Sequence, residues 1–228
     1  MKCVLAAILS VVFLSTVCLG AEQPALKDAK AKESYTLGYQ FGQSMKAQGL
    51  DLDMEVYTSG IQDALTGAKP RLSQDEMRTT VTELQKRLAA ARQKEIKEIA
   101  DKNLAQGKAF LEENKKKDGV VTLPSGLQYK VLTEGSGKMP KATDSVTVHY
   151  RGTLINGTEF DSSYKRGQPA TFQVGKVIRG WTEALQLMKE GAKWQLMIPP
   201  QLAYGDRGTS TIPPNSTLIF EVELVAVK

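Results

Sequence analysis

Side-chain chemistry calls for a nucleophile, a base or a set of metal ligands, and this 228-residue chain groups few of them usefully. It has one histidine, His149, mid-strand beside Tyr150, so a Ser-His-Asp reading would rest on that residue alone and is rejected. His149 reads instead as a packed or surface side chain. Glycine-rich phosphate loops and metal-spaced Cys/His clusters are absent from the sequence. What does collect is aromatic. Tyr150, Phe160, Phe172, Trp194, Tyr204 and Phe220 fall on expected strands or their ends, around the stretch Val177-Ile178-Arg179-Gly180-Trp181. Gly180 permits a tight turn, and Thr182 or a neighbour can start a short helix. Trp181 and Leu185, four apart, then share one helix face. Any one ring alone reads as the core of a small α+β domain.

The elements that must position these rings follow from the chain's start. Residues 1–21 read as a secretory signal: Lys2 is the positive end, Val4 to Val17 is nearly unbroken apolar sequence, and Leu19-Gly20-Ala21 offers small residues for cleavage. The apolar run is short for a membrane span of about 20 residues. Both cysteines, Cys3 and Cys18, fall inside it, so the chain without this segment carries no thiol. A lipid anchor on Cys18 is the rival reading, disfavoured by Val17 where a small residue is usual. The whole sequence has 30 Lys+Arg against 25 Asp+Glu. Losing Lys2 leaves a mild, unclustered positive excess, which argues against a nucleic-acid partner.

Residues 25–67 read as helical. Tyr35, Leu37, Phe41 and Met45 keep helical spacing, and Gly38 and Gly42 lie four apart, a pattern that suits close approach of another helix. Gly49-Leu50-Asp51 breaks the pattern, Asp53 can cap a second helix, and Gly67 can stop it. Two such helices cannot enclose a core alone. They need the rest of the chain or a second copy. Ser73 and Glu76 form a capping box opening a third helix with the apolar stripe Met77, Val81, Leu84, Leu88. The stripe thins beyond Arg92 to Ile96, Ile99 and Leu104 among alternating charges, and Lys115 to Gly119 read as the end. About 44 residues would make a solvated stalk of about 65 Å. From Val120 the texture alternates: Leu127/Tyr129/Val131, Val146/Val148/Tyr150, Leu196/Ile198, Leu218/Phe220/Val222/Leu224, with Asn156-Gly157 as a hairpin turn. This is an α+β pattern: an antiparallel sheet with a short helix, 181–189, crossing one face.

Five strings occur in order over about a hundred residues: Val148-His149-Tyr150-Arg151-Gly152, Phe160-Asp161-Ser162-Ser163, Val177 to Trp181, Leu202-Ala203-Tyr204-Gly205 and Ile212-Pro213-Pro214. Together they resemble the FKBP-type peptidyl-prolyl cis-trans isomerase domain, the family inhibited by rapamycin. With Ser34-Tyr35, Leu37-Gly38-Tyr39, Gly42 and Asp63-Ala64-Leu65, the whole layout resembles the Mip/FkpA group of exported bacterial isomerases. The resemblance implies a signal peptide over 1–21, a helical dimerisation domain over 22–72, a long stalk helix over 73–118 and an FKBP-like half-barrel isomerase domain over 119–228. It implies a homodimer, exported to the periplasm, the outer membrane or the cell surface, acting on proline-containing peptides and unfolded proteins, without cofactor or metal.

A nucleophile is not needed for this reaction. Rotating an X–Pro bond faces a barrier of about 18–20 kcal/mol set by amide resonance. The twisted state loses that resonance and its charge separation, so an apolar, water-excluding cleft opposes it less than the planar amide. The resemblance gives Trp181 as the floor under the proline ring, with Tyr150, Phe160, Phe172, Val177, Ile178, Ile212 and Phe220 around it. Ile178 would offer its N–H, and Tyr204 its hydroxyl, to substrate carbonyls. Asp161 is the one carboxylate among these groups, catalytic with Tyr204 and Tyr150, or holding Tyr150 or Arg179 by hydrogen bond, or both. Two departures lie at one rim: Ala170 stands where many members carry an aromatic, and the loop Asp206–Thr211 is short and lacks histidine. A second function, from another class, is a holdase chaperone using the same pocket mainly for binding.

Overall fold

The computed structural model describes residues 25–228, so the expected signal segment with Cys3 and Cys18 lies outside the described residues. These form two compact units that divide between Met77 and Arg78. Among the described residues, no helix is long and apolar enough to cross a membrane.

The first unit is helical. Helix α1 spans Ala29–Ala47 and opens on Asp28, whose carboxylate accepts from the Ala31 N–H. Helix α2 spans Met54–Thr66 between the two signals read in the sequence: Asp53 accepts from the Glu55 and Val56 N–H groups, and Gly67 closes the helix at φ +70°. Phe41 stacks on Tyr57 across the pair, 5.9 Å between ring centroids. Little else is covered. Met45 is the one buried residue in these two helices, while Tyr35, Leu37, Val56 and Leu65 stay exposed. Gly38 and Gly42 have open space where a Cβ would stand.

Helix α3, Gln74–Asn114, starts from the expected capping box: Glu76 accepts from the Ser73 N–H at 2.8 Å, and the Glu76 N–H donates to the Ser73 hydroxyl at 3.2 Å. Ile96, Ile99 and Leu104 are exposed, as a solvated helix requires. The solvated reading does not extend to its last turns. Gly107 and Asn114 are buried, Asn114 donates to Gln128 at 2.9 Å, and Gln128 donates to the Leu111 carbonyl at 2.9 Å. The end of α3 is thus packed onto the sheet that follows.

That sheet has seven antiparallel strands: β1 (Val120–Thr122), β2 (Gln128–Thr133), β3 (Ser145–Leu154), β4 (Glu159–Ser162), β5 (Ala170–Gln173), β6 (Lys193–Ile198) and β7 (Leu218–Val227). Their order is β1-β2-β6-β7-β3-β4, and β5 shares the β3 edge with β4, pairing to residues 145–148 while β4 pairs to 151–153. Alternation does what it should: Val146, Val148 and Tyr150 of β3 and Leu218, Phe220, Val222 and Leu224 of β7 are all buried. Asn156-Gly157 turns the β3–β4 hairpin, with Gly157 at φ +86° and the Leu154 N–H on the Thr158 carbonyl at 2.9 Å.

Helix α4, Arg179–Leu185, covers the inner face with Trp181, Ala184 and Leu185. It begins two residues earlier than the sequence suggests, and its start is not a Thr182 cap. Ile178 is the cap residue and gives no side-chain bond, whereas the Thr182 hydroxyl donates to the Val174 carbonyl at 2.8 Å. Gly180 is not a turn glycine either. Its φ is not positive, and a Cβ there would stand 2.5 Å from Ile198 Cγ2, so the missing side chain lets α4 lie close on β6.

Candidate functional site

The strands and α4 enclose a cleft of about 470 Å³. Every residue that the resemblance assigns to the site lines it: Tyr150, Phe160, Asp161, Phe172, Val177, Ile178, Trp181, Tyr204, Ile212 and Phe220, whereas Trp194 of the aromatic collection stacks on Tyr129 at 4.2 Å and does not. Trp181 is the hub. Tyr150, Phe172 and Phe220 each meet it edge to face, with centroids 5.2, 5.8 and 5.2 Å away and planes at 87°, 88° and 80°. Phe160 meets Phe220 the same way at 5.4 Å and 83°. Such contacts add about 0.5–1.5 kcal/mol each beyond burial and fix ring orientation. Trp181 is 4% exposed, so the floor is rigid.

Gly152 is what lets the wall close. A Cβ there would stand 2.6 Å from Phe220 and 2.7 Å from Phe160, so glycine on β3 is required for these rings to meet over it. Ile178 is held by its own carbonyl, which accepts from the Trp181 and Thr182 N–H groups at 2.9 and 3.0 Å. Tyr150 is pinned at its backbone: its N–H donates to the buried Ser163 hydroxyl at 2.8 Å, and its carbonyl accepts from the Ser163 N–H at 2.9 Å.

The polar side of the cleft is a three-membered cluster. The Tyr150 hydroxyl donates to Asp161 Oδ2 at 2.6 Å. Arg166 donates from Nη1 to Asp161 Oδ1 at 2.5 Å and from Nη2 to the Tyr150 hydroxyl at 2.6 Å, with its guanidinium 5.4 Å from the Tyr150 ring centroid. Asp161 therefore holds Tyr150, as one sequence reading has it, but its cation is Arg166 and not Arg179. Burial pushes the Asp161 carboxyl up, but the bonds from Tyr150 and Arg166 outweigh it and hold the acid below its ordinary value. Burial, and then the bond to Asp161, raise the Tyr150 phenol. Burial and the Asp161 charge raise Tyr204. Both phenols are thus neutral donors at ordinary pH. The Tyr204 hydroxyl has no hydrogen-bond partner among the described residues and stands at the cleft rim.

Sequence reasoning missed Arg166, Lys176, Thr209 and Thr211, the last three of which also line the cleft. The threonines sit on the short loop that lacks histidine, so this rim is hydroxyl-bearing. His149 lies outside the cleft, stacked on Tyr164 at 4.8 Å with Nδ1 3.1 Å from the Ser163 hydroxyl, which is a packing role.

Residues 136–225 match the family described as FKBP-type peptidyl-prolyl cis-trans isomerase, and residues 30–131 match that described as the domain amino terminal to FKBP-type peptidyl-prolyl isomerase. "Outer membrane protein MIP" of Legionella longbeachae is 47% identical over the whole of this chain and 98% of its own length. The chain belongs to the FKBP-type peptidyl-prolyl cis-trans isomerases. Peptidyl-prolyl cis-trans isomerase Mip of Coxiella burnetii is 45% identical to the isomerase, covering all of it and 99% of that protein. The crystal structure of FkpA from Escherichia coli matches with a TM-score of 0.74 at 42% identity, over 90% of this isomerase and 99% of that chain. The Mip/FkpA resemblance read in the sequence is thereby confirmed, with the helical start, long helix and antiparallel sheet. The isomerase acts on peptide or protein substrates, as its family does.

Proposed function

We propose that the isomerase is an exported homodimer that turns X–Pro bonds in the aromatic cleft by binding the twisted amide, with no covalent step. Trp181 is the floor for the proline ring, and Tyr150, Phe160, Phe172, Val177, Ile212 and Phe220 exclude water around it. The Ile178 N–H and the Tyr204 hydroxyl take substrate carbonyls. Asp161, fixed by Tyr150 and Arg166, supplies a charge whose position does not change during rotation. The observation that carries this reading is the meeting of three rings around Trp181 with the Asp161–Tyr150–Arg166 cluster in one cleft of about 470 Å³. An apolar floor with one polar wall favours an amide that has lost its resonance dipole over one that keeps it.

Dimerisation through residues 25–88 is supported by the exposed apolar side chains of α1 and α2, which one copy leaves in water. Export is supported by the composition of residues 1–21 and by the Legionella relative's being named an outer membrane protein. Residues 119–228 carry the catalytic site and residues 73–118 connect it to the helical start.

The test is a proline-limited tetrapeptide assay on the chain without residues 1–21. Wild-type turnover should be abolished by rapamycin at stoichiometric concentration, and Asp161→Leu should lower kcat/KM at least about tenfold, one lost charge-assisted interaction, while the far-ultraviolet spectrum stays native. A folded Asp161→Leu protein with wild-type turnover would remove Asp161 from the site.

A further inference from the structure

Tyr204 and Ile212 reach the cleft from one segment, residues 199–217, between β6 and β7. The segment turns through positive φ at Gly205 (61°), Gly208 (62°) and Asn215 (53°), and Pro213 and Pro214 bring it no N–H donors. It closes on itself through the Asn215 N–H, which donates to the Gly205 carbonyl at 2.8 Å, and through the Thr209 N–H, which donates to the Ile212 carbonyl at 2.8 Å. Asn215 is the single non-glycine residue with positive φ among the described residues, a conformation asparagine tolerates better than most. Pro214–Asn215 therefore connects to both rim residues, one hydrogen bond from Gly205 beside Tyr204 and two residues along the chain from Ile212.

This junction is gripped from outside. Asn103 of α3 donates from Nδ2 to the Pro214 carbonyl at 2.8 Å, in a partly buried contact. Asn215 Nδ2 reaches the Ala100 carbonyl at 3.5 Å, at the limit of a hydrogen bond. One turn further on, Gly107 leaves room for Thr217, whose Cβ would lie 3.2 Å from any Cβ placed there. Ala100, Asn103 and Gly107 are three and four apart and so lie on one helix face. A pocket that selects a twisted amide depends on where its walls stand, and small displacements are costly to rate.

We infer that Asn103 is a positioning residue for the isomerisation, fixing the Tyr204/Ile212 rim through the Pro214 carbonyl. The last turns of α3 are then part of the site's support as well as a connection. This rests on the reading of the cleft as the isomerase site.

The test uses the chain without residues 1–21 and a tetrapeptide with one X–Pro bond. Asn103→Ala should lower kcat/KM roughly fivefold, the worth of one neutral hydrogen bond. Amide hydrogen exchange should quicken within residues 204–217. Asn103→Asp, equal in size but without a donor at pH 7, should lose more, and should recover as pH falls towards about 4 and its carboxyl protonates and regains an O–H. Neither wild type nor Asn103→Ala should show that recovery. Asn114→Ala removes another α3 contact, the bond to Gln128, away from the rim, and should leave kcat/KM and exchange in 204–217 unchanged. Wild-type turnover in both Asn103 variants overturns the inference, and so does an equal loss in Asn114→Ala. Tyr204→Phe run alongside separates the two readings. If it is impaired while the Asn103 variants are not, only the positioning role fails; if it too is unimpaired, the cleft assignment fails with it.

Discussion

Asp161 accepts side-chain hydrogen bonds from two partners, Tyr150 and Arg166, and only Tyr150 was visible before folding. Tyr150 and Asp161 belong to two of the ordered strings, on β3 and β4, but Arg166 lies in the β4–β5 connection, where no periodicity marks it. It reaches Asp161 and Tyr150 only because β4 pairs back onto β3. The Asp161–Arg166 pair is nearly half exposed on both sides, so its worth to stability is small and its value lies in orientation. The pH behaviour follows by sign. A carboxyl held below its ordinary pKa stays charged down through the ordinary carboxylate range, and what the charge contributes is lost only as pH falls through the lowered value. The two phenols, raised above their ordinary value, stay protonated beyond about pH 10. Wild-type kcat/KM should therefore be flat from about pH 5 to about pH 9. In Arg166→Gln the upward push of burial keeps the Tyr150 bond against it but loses the bond and charge of Arg166, so the acid limb should move to higher pH than in wild type. Identical pH profiles for the two proteins would show that Arg166 does not set the state of Asp161. Trp181→Ala tests the floor: turnover should collapse and unfolding free energy fall by about 3–5 kcal/mol, read by peptide assay and chemical denaturation.

At the scale of elements, what repeats with an apolar period was legible and what packs through small or polar residues was not. The strands carrying Val146/Val148/Tyr150 and Leu218/Phe220/Val222/Leu224 were readable because one face is buried and the other is not. The contact face of α3 escapes such a reading. Ala100, Asn103, Gly107, Leu111 and Asn114 follow a helical 3-4-4-3 spacing, yet only Ala100 and Leu111 are apolar, so no hydrophobic stripe announces them. Their contacts are an amide, a missing Cβ and a carbonyl. Gly180 was legible as important and misassigned in kind, since a glycine kept for close approach and one kept for a turn look alike in sequence. Gly107 offers a direct test of the close-approach argument. In a free helix Gly→Ala is stabilising by about 1 kcal/mol. Here the new Cβ would meet the Thr217 side chain, which is only 2% exposed and has little room to move. Gly107→Ala should lower the thermal midpoint despite its better propensity. The Thr217 hydroxyl has no hydrogen-bond partner, so Thr217→Ala alone should cost little and should rescue much of the Gly107→Ala loss. Additive effects of the two changes would mean that they do not meet.

At the scale of the whole molecule, the question is what a helical start adds to a catalytic unit that already encloses its pocket. A short peptide needs the pocket alone. An unfolded protein presents scattered prolines and apolar segments, and two pockets tethered through the proposed dimer would hold it at two points. The second contact is then intramolecular, which raises effective affinity without any new interaction. Gly38 gives a way to separate the two cases in the intact chain. Among the described residues, nothing beyond the neighbouring backbone of its own helix lies within 4 Å of a Cβ at Gly38, and replacing a mid-helix glycine by leucine improves helix propensity. A loss of assembly in Gly38→Leu would therefore report a contact with a second copy and not a damaged helix. Light scattering should give a dimer for wild type at micromolar concentration and a monomer for Gly38→Leu. At equal pocket concentration the two should turn over a tetrapeptide equally, while the variant should be slower by about an order of magnitude or more in proline-limited refolding of a protein substrate, the gain that linking two sites provides. Equal refolding rates from a demonstrated monomer and dimer would leave the helical start with no part in catalysis, and equal losses on both substrates would mean the change reaches the pocket itself.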